Sequence, residues 1–119
     1  MKKCDCFLMA VPPKYNRMHL FVALTNPDAQ GKLVAVNATS DVLRAGREFV
    51  LKAGDHECIT HDSFISFSDA ILADEASIVR MSKAHVIHLK PALDEALVAK
   101  IIEVAKAGKS MPEEKKILL

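Results

Sequence analysis

Residues 19–25 (His-Leu-Phe-Val-Ala-Leu-Thr) and 32–39 (Lys-Leu-Val-Ala-Val-Asn-Ala-Thr) are two apolar runs of strand length. Between them lies Asn26-Pro27-Asp28-Ala29-Gln30-Gly31, a cluster of turn formers. Proline presets the backbone for a turn, glycine tolerates left-handed backbone, and Asn and Asp bond their own main chain. The pattern predicts an antiparallel hairpin with a loop of about six residues. In its second strand Leu33, Ala35 and Asn37 share one face, and Val34, Val36 and Ala38 the other. Both faces are largely apolar, as suits a strand in the middle of a sheet.

The remaining runs extend this sheet. Phe7 to Val11 is a short apolar run stopped by Pro12-Pro13, and predicts a first strand. Phe49-Val50-Leu51 predicts a fourth, ended by Ala53-Gly54-Asp55. Ser63-Phe64-Ile65-Ser66-Phe67 alternates polar and apolar residues, as in a half-buried strand. Residues 69–73 and 77–81 fit either strands or a short helix. His85 and His88, three positions apart in a predicted strand, would lie on opposite faces. From Pro91 to Ala107 the apolar residues recur at three and four spacing, with Asp94 and Glu95 early and Gly108 as the stop, which predicts a helix. Ser110 and Glu113 have capping-box spacing and predict a final short helix through Leu119. Strands followed by helices imply an α+β fold in one domain, residues 1–119, with a helical part from about 91.

Composition narrows the class. Of 119 residues, 50% are hydrophobic and 26% charged, which excludes a disordered chain. No apolar run approaches the ~18 residues of a membrane span. Asp5 interrupts the stretch from Cys4 to Val11 that otherwise resembles a signal sequence, so a cytoplasmic protein is expected. Three cysteines cannot form a complete disulfide framework and are expected as thiols. The net charge of +1 hides a segregation: residues 1–20 carry +3, residues 21–79 carry −5, and residues 80–119 carry +3.

The richest chemistry lies in Gly54-Asp55-His56-Glu57-Cys58-Ile59-Thr60-His61-Asp62-Ser63. Imidazoles exchange protons near neutrality, and a neighbouring carboxylate can hold their tautomer. The same residues also suit a polar turn in which His and Asp cap backbone groups. A third reading is a metal site of His56, Cys58 and His61 with Asp55 or Asp62, the Cys4-x-Cys6 pair supplying further thiolates. Its spacing matches neither zinc knuckles nor a His-Glu-x-x-His helix. Lys14, Tyr15 and Arg17 are candidates for phosphate contact, and Thr39-Ser40 offer hydroxyls at a strand end. Phosphate-binding loops, dinucleotide fingerprints and nucleophile elbows are absent from the sequence.

The segments His19-Leu-x-Val-x-Leu-Thr-Asn-Pro27, Lys32-Leu-Val-Ala-Val-Asn-x-Thr39, Leu51-Lys-x-Gly-Asp-His56 and Ile59-x-His-Asp-Ser-Phe-Ile65 occur in this order. Over about residues 15–72 the chain resembles the PemK/MazF toxins of bacterial type II toxin–antitoxin systems. The resemblance implies a small antiparallel SH3-like β-barrel with C-terminal helices, commonly a homodimer. It also implies a metal-independent endoribonuclease acting on single-stranded RNA, occluded by a cognate antitoxin, with no cofactor and no membrane partner. On that expectation His56 or His61 deprotonates the ribose 2′-hydroxyl, and the other histidine or Asp55 protonates the leaving oxygen. Lys14 or Arg17 steadies the phosphate while Ser63 or Thr60 orients it. Two other functions fit the same residues: a non-catalytic binding module for protein or nucleic acid, and a His/Cys metal-binding protein.

Overall fold

The computed structural model describes residues 1–11 and 17–119. Among them are six strands: β1 (Cys6–Ala10), β2 (Met18–Ala23), β3 (Lys32–Thr39), β4 (Val50–Leu51), β5 (Ser63–Asp74) and β6 (His88–Lys90). Four helices accompany them: α1 (Val42–Ala45), α2 (Glu75–Lys83), α3 (Glu95–Ala107) and α4 (Glu113–Lys116). The strands form one antiparallel sheet in the order β4-β5-β3-β2-β1-β6, curled as a half-barrel.

The expected hairpin is present, with Leu20 opposite Ala38 and Ala23 opposite Ala35. Its loop is held by Asp28, whose Oδ1 accepts from the backbone N–H of Gln30 and of Lys32, each at 2.9 Å. Gly31 closes the turn at φ +77°, where a side chain is strained. β3 lies between β2 and β5, buried on both faces, as its two apolar sides require.

The two sides of the sheet support two apolar layers. On one, Cys6, Leu20, Val22, Val34, Val36, Ile65 and Phe67 pack with Val98, Ile101 and Ala105 of α3. On the other, Phe7, Phe21, Ala23, Leu33, Ala35 and Ala73 pack with Ile78 of α2 and with Ile87. Phe7 and Phe21 face each other across β1 and β2, with ring centroids 5.3 Å apart. Burying a side chain of this size contributes ~1.5–3 kcal/mol, so each layer anchors its helix.

The segment of ambiguous period divides at Asp74. β5 runs up to it, and its carboxylate then caps α2 by accepting from the Ser77 N–H at 3.0 Å and the Ser77 hydroxyl at 2.8 Å. Midway β5 is irregular: Asn37 pairs with Ser66 and Ala35 with Ile71, so two steps along β3 match five along β5. This wide bulge displaces Phe67 to Ala70 from the regular ladder.

Three local expectations are corrected. α3 starts after Asp94, whose Oδ2 accepts from the N–H groups of Ala96 and Leu97, so Pro91 stays outside the helix. Ser110 does not cap α4, because its hydroxyl donates to Glu48 instead; α4 ends at Lys116. His85 precedes β6 and has φ +60°, so it is not part of a strand with His88. Among the described residues, no helix is long and apolar enough to cross a membrane.

Candidate functional site

α2 covers only part of its side of the sheet. On the uncovered part the residues that point the same way are His19 on β2, Asn37 and Thr39 on β3, and Ser66 on β5. Apolar alternation gives way to polar groups across three neighbouring strands. Above them opens a cavity of about 550 Å³, within the size range of ligand sites. Met9, Val11, Phe21 and Ile71 form its apolar lining. His19, Asn37, Thr39 and Ser40 line it as polar groups, together with two carboxylates, Asp41 and Asp69, and two guanidinium groups, Arg17 and Arg44.

Short-range bonding shapes the rim. Thr39 Oγ1 accepts from the Asp41 N–H at 3.1 Å, and Asp41 Oδ1 accepts from the Arg44 N–H at 3.3 Å. These bonds wind residues 42–45 into α1, and Gly46 at φ +77° ends it. Arg44 thereby reaches Asp69 in the β5 bulge. Its Nε donates to Oδ2 at 2.8 Å and its Nη2 to Oδ1 at 3.2 Å. The Ser66 hydroxyl donates to the same Oδ2 at 2.7 Å. The Arg44 guanidinium, followed by Ser66, holds the Asp69 carboxyl below its ordinary range, so Asp69 is an anion at neutral pH. Asp69 in turn raises the pKa of Arg44. The pair cannot supply a proton near pH 7, but it can hold a guanidinium in a fixed orientation.

His19 is the imidazole on the cavity wall. Its Nδ1 lies 3.3 Å from the carbonyl oxygen of Ala38, an atom that only accepts, so Nδ1 carries the proton. In the neutral ring Nε2 then holds the free lone pair.

The residues singled out in the 54–63 segment form a folded turn away from this cavity. His56 is 6% exposed, and both its ring nitrogens are occupied. Nε2 donates to the Pro91 carbonyl at 2.7 Å, and Nδ1 accepts from the Cys58 N–H at 3.0 Å. This ring ties the turn to the segment between β6 and α3. Asp55 accepts from the Lys52 N–H at 2.8 Å. Ser63, buried, donates to the His61 carbonyl at 3.2 Å. Thr60 and His61 are exposed, with Oγ1 and Nδ1 3.4 Å apart. Lys14 and Tyr15 lie outside the described residues. Among the described residues, Arg17 is the one expected RNA contact that lines the cavity.

Cys58 and the buried Cys6 are thiols raised by burial, Cys6 up to about 12. Among the described residues, no group of three or more His, Cys, Asp or Glu side chains is placed to hold a metal ion. A second hollow beside α2 is lined by Asp74 and Glu75, whose carboxylates are already matched by Lys32 and the terminal amine.

Sequence reasoning missed His19, Arg44 and Asp69 as functional residues. Two signals were present: Asn37 interrupts the Leu33–Ala35 face, and His19 heads the face continued by Phe21. Nothing local marks Arg44 or Asp69, because their meeting depends on the bulge. No family model matches the chain, and no curated protein or solved structure matches it either.

Proposed function

We propose that the protein is an endoribonuclease acting on single-stranded RNA without a metal, built on an SH3-like barrel and working in the cavity above His19. The observation that carries this reading is the convergence of one imidazole and two guanidinium groups, one of them locked by a carboxylate, over an apolar floor. A phosphodiester needs positive charge at its non-bridging oxygens and a base at the 2′-hydroxyl, and these groups are of that kind.

In this reading His19 Nε2 takes the proton of the 2′-hydroxyl as the 2′-oxygen attacks phosphorus. The bond from phosphorus to the 5′-oxygen breaks, and the leaving oxygen takes a proton from solvent. The products are a 2′,3′-cyclic phosphate and a 5′-hydroxyl end. Arg44, held by Asp69, and Arg17 neutralise the charge that builds on the phosphoryl oxygens. Because guanidinium groups stay protonated, they contribute fixed charge at every working pH.

The test is incubation of the purified protein with a long unstructured RNA in EDTA, beside His19→Gln. Cleavage by the wild type with cyclic-phosphate ends, falling by ~10²–10⁴-fold in the variant, is the expected result. Equal cleavage by both proteins overturns the role of His19. RNA that stays intact with both overturns the enzymatic reading in favour of a binding module.

A further inference from the structure

Asn37 is 6% exposed as a residue, and among the described residues no hydrogen bond reaches its side-chain amide; because no fully buried side-chain N or O there lacks a partner, the amide atoms keep the exposure that remains. Its strand neighbours on the same face, Leu33 and Ala35, are packed in the apolar layer, and its cross-strand partners are Phe21 and Ser66. Asn37 lines the cavity, and the accessible area left to its amide lies at that wall. An amide that is open at a cavity wall and bonded to no neighbouring group is free to bond what enters. An amide offers a donor beside an acceptor, which is the pattern read on the edges of nucleobases.

The surroundings fit that role. Met9, Phe21 and Ile71 provide an apolar surface for a base, and Arg17 and Arg44 lie on the same cavity for its phosphate. Unstacked RNA bases are recognised in this manner, by apolar or aromatic support and hydrogen bonds to an edge. We infer that Asn37 is the base-reading residue of the cleft, which binds one nucleotide with its base edge against the Asn37 amide and its phosphate at the arginines. This deepens the ribonuclease reading and rests on it for the identity of the ligand. It adds which residue sets base preference.

The probes are the four nucleoside 3′-monophosphates, titrated into wild type, Asn37→Asp and Asn37→Ala and followed by NMR shifts of the native protein. The wild type is expected to prefer one base over the poorest by about tenfold or more, the discrimination of a good bidentate contact. Asn37→Asp replaces the donor by a second acceptor. Guanine alone offers two adjacent donors, N1–H and N2–H, so the variant is expected to shift its preference toward guanine. Asn37→Ala is expected to bind all four within about twofold of one another, since a methyl group reads no edge.

Equal wild-type affinity for the four nucleotides overturns the inference and leaves the cleavage reading standing. An unchanged order of preference in a folded Asn37→Asp or Asn37→Ala overturns it as well. His19-dependent cleavage without nucleotide binding also overturns it, because the base would then be read elsewhere. Base preference set by Asn37 in a protein that leaves RNA intact would instead retain the nucleotide cleft and remove the catalytic reading.

Discussion

Arg44 and Asp69 are joined by two hydrogen bonds, Nε to Oδ2 at 2.8 Å and Nη2 to Oδ1 at 3.2 Å. One residue belongs to the single turn of helix after β3, the other to the bulge in β5. The fork therefore holds two irregular segments together at the rim of the cavity and fixes the direction of a guanidinium. Lysine carries the same charge but cannot make both bonds from one planar group.

If the proposed ribonuclease reading holds, Arg44→Ala is expected to reduce RNA cleavage about 100-fold, the scale of losing one preorganised group that stabilises transition-state charge. Arg44→Lys is expected to recover only a minor part. Single-turnover rates measure both, and full recovery in the lysine variant would show that charge alone is needed.

The same pair predicts an acid-sensitive stability. The Asp69 pKa is lowered in the folded state by Arg44 and Ser66. Its contribution is thus complete above the unfolded carboxyl value of about 4 and is lost as pH falls through the folded value. Asp74, lowered by Ser77, acts in the same direction. Denaturant midpoints compared between pH 6 and pH 3 are expected to fall less in Asp69→Asn than in wild type. Equal falls would show that Asp69 is not among the groups responsible.

His56→Ala is expected to destabilise the fold by about 1–3 kcal/mol, because it leaves the Pro91 carbonyl and the Cys58 N–H without their present partner. Urea unfolding measures it. A change within about 0.5 kcal/mol, as at ordinary surface sites, would mean that water replaces the ring without penalty.

Ile101 is fully buried between α3 and the sheet. Ile101→Ala is expected to lose about 2–5 kcal/mol, through lost burial and the cavity left behind. Leu43, 96% exposed on α1, is expected to tolerate Leu43→Ser within about 0.5 kcal/mol. Thermal and urea unfolding of the two variants should separate them clearly.

Cys6 is 1% exposed and its thiol is pushed up to about 12, so it stays protonated at pH 8. Iodoacetamide at that pH should leave Cys6 unmodified in the native protein and modify it fully in urea. Mass spectrometry of the peptide spanning Cys6 reads the difference; rapid native labelling would contradict this burial.

The sequence by itself determined the elements whose causes are local. The β2–β3 hairpin follows from Asn26 to Gly31 and the two runs around it, and α3 from its apolar spacing and its Gly108 end, though not its start at Asp94. The central place of β3 was legible in its two apolar faces, and the α+β class in the order of runs. Only the tertiary structure decided the cavity and the role of each histidine. His56 is pinned by a carbonyl 35 positions away, and Arg44 meets a carboxylate 25 positions away across a bulge that no local pattern announces. A histidine's chemistry depends on what occupies its two nitrogens, and those partners come from distant chain brought close by packing. Local backbone preference acts over a few residues, whereas the cavity exists because α2 covers one part of a sheet face and leaves His19 and Asn37 on the other.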